Sequence, residues 1–158
     1  NLIKNKNIQL VIIGNGDRKN NLIDYILKKK ISSLVKIIPY KMNPFSYIKK
    51  ADIFVLTSKF EGLPNVLLEA LALKKYVIST NCPTGPREIL LNGHGGDLVK
   101  IGDYKALSKK IINCFTKENK LKNEFNKKIN LGYHNLNRFD YNLNMKKYHN
   151  IVKKYSND

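Results

Sequence analysis

Short apolar runs alternate with amphipathic stretches along most of this chain. Residues 8–13, 34–38, 52–56, 76–79 and 97–99 are rich in Ile, Leu and Val and have the length of buried strands. The stretches between them follow a helical period. Residues 18–30 place Leu22, Ile23, Ile26 and Leu27 on one face. They follow a Gly14-Asn15-Gly16-Asp17 turn in which Asp17 is the candidate N-cap. Residues 44–50 predict a short helix with Asn43 as its cap and Pro44 at its first position. Residues 64–72 predict another, with Leu67, Ala70 and Leu71 inward. Pro86 opens a short helix over 87–91, where Glu88 in the first turn suits the helix dipole. Asp103 caps a helix to 115, and further helices are expected over 117–131 and 141–155. The last of these carries Leu143, Tyr148, Ile151 and Val152. Residues 1–7 are polar and read as a frayed start. Asn and Lys dilute the apolar pattern of the final helices, so the ends should be loosely held. Strands alternating with helices predict a parallel sheet with right-handed crossovers. The expected class is α/β: a Rossmann-like parallel sheet flanked by helices, with a core over 8–115 and a helical tail over 116–158.

Sites on such sheets lie at the carboxyl ends of the strands, where Gly14, Pro39, Glu61 and Thr80 all fall. The densest chemistry runs from Thr57 to Ala72, TSKFEGLPNVLLEALA. After the apolar run Ile53-Phe54-Val55-Leu56, Gly62 permits a tight turn, and Pro64 suits the first turn of a helix, where its missing N–H costs nothing. The N–H groups of Leu63, Asn65 and Val66 should be left unpaired there. That end carries partial positive charge, which attracts anions. Glu61 in the loop and Glu69 two turns into the helix bracket it. Phosphate oxygens want the N–H groups and sugar hydroxyls want the carboxylates; a nucleotide-sugar has both. The plain alternative is an ordinary strand–helix unit with two solvated glutamates. Gly14 and Gly16 form a lone G-x-G, which serves a strand–helix turn as readily as a phosphate. His94, in the glycine-rich turn 92–96, reads as solvated.

The EGLPNVLLEALA segment resembles the E-x7-E motif of retaining GT-B glycosyltransferases, and most closely glycosyltransferase family 4, the group 1 type. YVISTNCPTGPREIL resembles that family's next strand and loop, and LVIIGNGD its strand ending in a G-x-G turn. The similarity spans residues 8–112 in order. It implies transfer of a sugar from a nucleotide diphosphate donor, with retention at the anomeric carbon, by the donor-binding half of a two-domain enzyme. Matched residue by residue, Glu61 would contact the donor sugar and steady its oxocarbenium-like charge. Gly62, Leu63, Pro64, Asn65 and Val66 would surround the diphosphate and sugar, using the N–H groups of that segment. Glu69 would bond the ribose hydroxyls. Pro39 and Tyr40 would lie beside the base, Gly14 near the donor, and Gly85 with its neighbours would close over the sugar. Arg87 is a further candidate to reach a phosphate, but the resemblance gives that role no firm support. It implies no metal and no cofactor other than the nucleotide-sugar co-substrate, with a UDP-sugar expected. The family's basic Arg/Lys pair for the diphosphate belongs upstream of the LVIIGNG-like strand and is absent here, as is the N-terminal acceptor domain. The chain starts at Asn1 rather than Met, so it is expected to be a piece of a longer protein. Alone it should turn over no acceptor and bind donor weakly if at all, and the acceptor, a glycan or lipid-linked glycan, would be met through the missing domain.

Composition adjusts this picture modestly. The 158 residues suffice for one domain with a true core, and 42% hydrophobic content excludes a disordered composition. The formal net charge is +17, from 29 basic against 12 acidic residues. Yet only Arg18, Arg87 and Arg138 are arginine, the residue that bidentate phosphate or guanine recognition favours. Lys and Asn spread evenly argue against a nucleic-acid surface. Weak attraction to anionic lipid is the better-suited partner reading. Cys82 and Cys114 have neither metal spacing nor an evident disulfide role, which fits a reducing, cytoplasmic setting; with the resemblance, the basic surface is compatible with work at the inner face of the membrane. Three further readings stay open: a nucleotide-sugar epimerase half-domain with the same fold, a non-catalytic nucleotide-sugar sensor, and a lysine-rich nucleic-acid binder. Product analysis would separate the first, and Glu61→Gln the second. The third would bind with steep salt dependence.

Overall fold

A computed structural model describes residues 8–115 and 118–156. The polar start at 1–7 and the helix start at 117 lie outside the described residues. The chain divides into two compact units, one ending at Pro44 and the other starting at Phe45.

The first unit holds β1 (Leu10–Ile13), α1 (Lys19–Lys28) and β2 (Val35–Ile38). The strands are parallel, with Leu10 opposite Val35 and Ile13 opposite Ile38. Arg18, not the expected Asp17, occupies the N-cap, and no side chain caps the helix. The Lys19 amide instead donates to the Gly16 carbonyl at 3.0 Å, so a tight backbone turn does the work assigned to the aspartate. At the other end Lys30 adopts φ +54°, and the Ile31 amide reaches back to the Ile26 carbonyl at 3.2 Å, a left-handed helix stop. Of the expected inner stripe, Ile26 is buried and Leu22 half-buried, while Ile23 and Leu27 are exposed. Two four-residue strands offer too little surface to cover all four.

The second unit runs α2 (Phe45–Lys50), β3 (Ile53–Leu56), α3 (Asn65–Ala72), β4 (Tyr76–Thr80), α4 (Pro86–Ile89), β5 (Asp97–Val99), α5 (Tyr104–Cys114), α6 (Asn119–Asn135) and α7 (Tyr141–Tyr155). Its three strands pair in parallel in the order β3-β4-β5. All five residues of β4 are buried, because this central strand is covered on both faces. Side chains alternate along a strand, so Val77 enters one core with Ile48, Leu67, Ala70, Leu71, Ile89 and Leu90. Tyr76 and Ile78 enter the opposite one, with Val99, Ile111, Phe125 and Ile129. Helices α2, α3 and α4 thus cover one face and α5 and α6 the other. The Asp103 and Asp140 side chains cap α5 and α7, accepting from Ala106 at 2.9 Å and Leu143 at 2.8 Å.

Helix α6 starts on one face, with Phe125 and Ile129, and ends against the other. A Cβ at Gly132 would lie 2.6 Å from the Gly95 carbonyl oxygen and 2.7 Å from Leu71 Cδ2, so only glycine lets the helix cross there. Beyond it, buried Asn135 donates to the Ile89 carbonyl at 3.2 Å. A 3₁₀ turn (Leu136–Phe139) follows, and its Leu136 and Phe139 pack on the α3 side.

Buried Asp97 joins three elements: Lys110 of α5 approaches at 3.0 Å and Lys128 of α6 at 2.5 Å. Burial alone would raise the Asp97 pKa, but hydrogen bonds from the two lysines outweigh it and hold the carboxyl below its ordinary 3.8. The Tyr76 hydroxyl faces this carboxylate without hydrogen-bond geometry; burial, then that negative charge, raise its pKa. Burial pushes the Cys114 thiol up to about 12, so it is held as the neutral thiol. Both cysteines are free.

Candidate functional site

Strand β3 ends at Leu56, opposite Ser79 of β4, so two carboxyl ends emerge side by side. The loops that follow are tied together. The Thr80 hydroxyl donates to the Ser58 carbonyl at 2.5 Å, and the Thr84 hydroxyl donates to the carbonyl of Glu61. Gly85 closes the arrangement. Its φ of +84° is a glycine conformation, and a Cβ there would lie 2.3 Å from the Gly62 carbonyl oxygen and 2.4 Å from Pro64 Cδ. The 81–85 loop therefore rests directly on the backbone of the Glu61–Pro64 loop. Pro83 and Pro86, on either side of Gly85, fix φ there, and Pro86 occupies the first turn of α4.

Within this frame Glu61 and Glu69 are both half-buried. Neither carboxylate forms an ion pair or hydrogen bond among the described residues, whereas Asp97, Glu124 and Glu88 do form ion pairs. Pro64 is buried and stands at the N-cap of α3 in extended conformation (φ −71°, ψ 96°), one position before the expected first turn. Its carbonyl accepts from Leu67 at 2.9 Å. The N–H groups of Leu63, Asn65 and Val66 make no backbone hydrogen bond outside the helix, as helix-start geometry requires. Gly62, Leu63 and Asn65 are exposed, and Val66 packs partly into the α3-side core. The second unit thus brings together Glu61, the 62–66 segment and Gly85, with Glu69 on the helix those residues open.

Gly14, Pro39 and Tyr40 belong to the first unit. Gly14 and Pro39 follow β1 and β2, and the Gly14 amide donates to the Ile38 carbonyl at 3.0 Å. Tyr40 is 67% exposed. His94 is exposed, as its glycine-rich turn suggests. Thr80 and Thr84 as loop ties, and Phe60, 81% exposed beside Glu61, went unread in the sequence. A threonine between Pro83 and Gly85 is a visible signal for a fixed loop, but its partner 23 residues away is not.

The family of glycosyl transferases group 1 matches residues 1–130. An uncharacterized glycosyltransferase of Methanocaldococcus jannaschii is 46% identical over 87 residues, covering 55% of this chain and 21% of that protein. The capsular polysaccharide biosynthesis glycosyltransferase CapM of Staphylococcus aureus is 34% identical over 110 residues, covering 68% and 28%. The chain thus spans less than a third of these relatives. In fold it is similar to S. aureus TarM, solved in complex with fondaparinux, alpha-GlcNAc-glycerol and UDP. The TM-score is 0.81 at 20% identity, over 94% of this chain and 30% of that one.

Proposed function

This chain belongs to the glycosyl transferases group 1 family, and from that premise we propose that its second unit binds the donor of a retaining sugar transfer. The donor is a nucleotide diphosphate-sugar and the acceptor a glycan or lipid-linked glycan. One observation carries the reading. In a chain of net charge +17, the half-buried carboxylates of Glu61 and Glu69 have no cation partner among the described residues, on either side of helix-start N–H groups that make no backbone hydrogen bond outside the helix. Among so many lysines, two carboxylates that no described residue pairs, in a fixed loop and helix, are acceptors held ready for hydroxyl donors.

Each group then has a task. The N–H groups of residues 62–66 and the positive end of α3 receive the diphosphate. Their dipoles are fixed before reaction, so they stabilise the charge that builds on the leaving diphosphate, the term that commonly dominates such catalysis. Glu61 accepts from donor-sugar hydroxyls, and its charge steadies the positive anomeric carbon. Glu69 accepts from the ribose hydroxyls. Gly85 holds the 81–85 loop against this segment. UDP in the TarM complex supports a uracil nucleotide, and the name of CapM supports a polysaccharide acceptor. We assign acceptor recognition to the part of these relatives that this chain does not match. Among the described residues no helix is long and apolar enough to cross a membrane. The lysine surplus suits weak attraction to anionic lipid at the inner face of the cytoplasmic membrane.

The test is a two-dimensional NMR titration of this chain with UDP and GDP. Saturable shifts confined to one nucleotide and centred on residues 61–69 are expected. Glu69→Ala should weaken that binding about tenfold, the worth of a charged hydrogen bond. Absence of saturable shifts in that segment with either nucleotide overturns the reading.

A further inference from the structure

We propose that a second anion subsite lies in the cavity that Gly85 lines, where Arg87 and Arg138 take the phosphate of a phosphate or diphosphate ester. The inference rests on the transferase reading only for the source of that phosphate.

An open cavity of about 460 Å³ is lined by Thr84, Gly85, Arg87, Glu88, Asn92 and Arg138, among others. Its position is notable because Gly85 and Thr84 also contact the Glu61–Pro64 loop. One short loop therefore touches both the donor segment and this cavity. Arginine is scarce in this chain, with three among 29 basic residues, and two of the three line this cavity. Diffuse lysine richness does not account for that placement. The planar fork of a guanidinium matches two phosphate oxygens at once, which an ammonium does not.

The two guanidiniums have donors to spare. Arg87 forms no hydrogen bond or ion pair among the described residues. Arg138 has long polar contacts to Glu88 at 3.6 Å and to Asn135 Oδ1 at 3.4 Å, and its guanidinium lies 5.8 Å from the Phe139 ring centre. Its head is thus steered but not consumed, while its backbone is held firmly. Asn144 donates to the Arg138 and Asp140 carbonyls at 2.9 Å each. The cavity wall is also strained: Leu91 and Asn92 have φ of +52° and +55°. A branched side chain in the left-handed region is uncommon and persists where the surroundings impose it, often at ligand sites.

The experiment is calorimetric titration of the 158-residue chain with inorganic pyrophosphate and, separately, UDP. The proteins are the wild type, Arg87→Gln, the Arg87→Gln/Arg138→Gln pair, Glu69→Ala, and Lys147→Gln as a charge control. We expect the double variant to lose pyrophosphate affinity tenfold or more, Arg87→Gln to lose part of it, and Lys147→Gln to change little. Arg87→Gln breaks no contact, so its loss is not a folding defect. If the arginine variants lose UDP in parallel, the subsite takes the diphosphate of the donor. If UDP binding persists while pyrophosphate binding falls, it takes a phosphate of the acceptor. Glu69→Ala separates the two readings: unchanged UDP binding there counts against the donor site and leaves the pyrophosphate result standing. Pyrophosphate affinity that is absent in the wild type, unchanged in the double variant, or equally lost in Lys147→Gln overturns the subsite.

Discussion

Thr84 shows how much a single hydroxyl organises here. Its bond to the Glu61 carbonyl fixes the backbone from which the proposed catalytic carboxylate projects. Thr84→Val keeps the shape and removes the donor, so it should cost about 1 kcal/mol of stability. It should also shift the amides of residues 61–63, read by denaturant unfolding and NMR. Asp97 is the counterpart away from the site. Its carboxyl is held below its ordinary pKa by Lys128 and Lys110. A lowered folded-state pKa means the stabilisation is complete above the ordinary value of 3.8 and is lost as pH falls through the lower folded value. Asp97→Asn should therefore lower stability by roughly 3 kcal/mol at pH 7. Its gap to the wild type should narrow in acid as the wild type is protonated; thermal unfolding from pH 7 to pH 2 reads both. Neither role was legible beforehand. Thr84 and Asp97 were visible as residue types, but hydrogen bonds and ion pairs over 23 and 31 residues leave no mark in a linear pattern.

At the scale of elements, the apolar periods were good guides where packing is dense. β4, α3 and α5 stand close to where alternating runs and caps put them, because each has a face committed to a core. The pattern misled at α1, where Ile23 and Leu27 follow the stripe but stay exposed. It also misled at Asp17, where a backbone turn replaced a side-chain cap. Helix α6 extends to Asn135, four residues past the expected end, because its last turn crosses Gly95 and bonds Ile89. That crossing depends on Gly132. Gly132→Ala places a methyl inside van der Waals distance of the Gly95 backbone and Leu71, a crowding that costs about 1–3 kcal/mol. Chemical denaturation should show this loss. NMR should show displacement spreading to Arg138, since α6 leads directly into the turn that carries it.

For the whole molecule, two kinds of information separate cleanly. The order of strands and helices, their parallel pairing, the Gly-bearing loop before α3 and the family likeness of the Glu61–Glu69 segment were all determined by the sequence alone. Each is local: a run of β-branched residues, a 3.6-residue period, or a motif of nine positions carries its own evidence. Only the tertiary structure decided that Gly85 rests on Gly62, that β4 is covered on both faces, that two lysines meet at Asp97, and that Arg138 joins Arg87 some fifty residues away around one cavity. Those facts depend on where helix α6 crosses and on how two loops fill the same space. Close packing sets such contacts between distant segments, and the chain order of hydrophobic and polar residues does not record them.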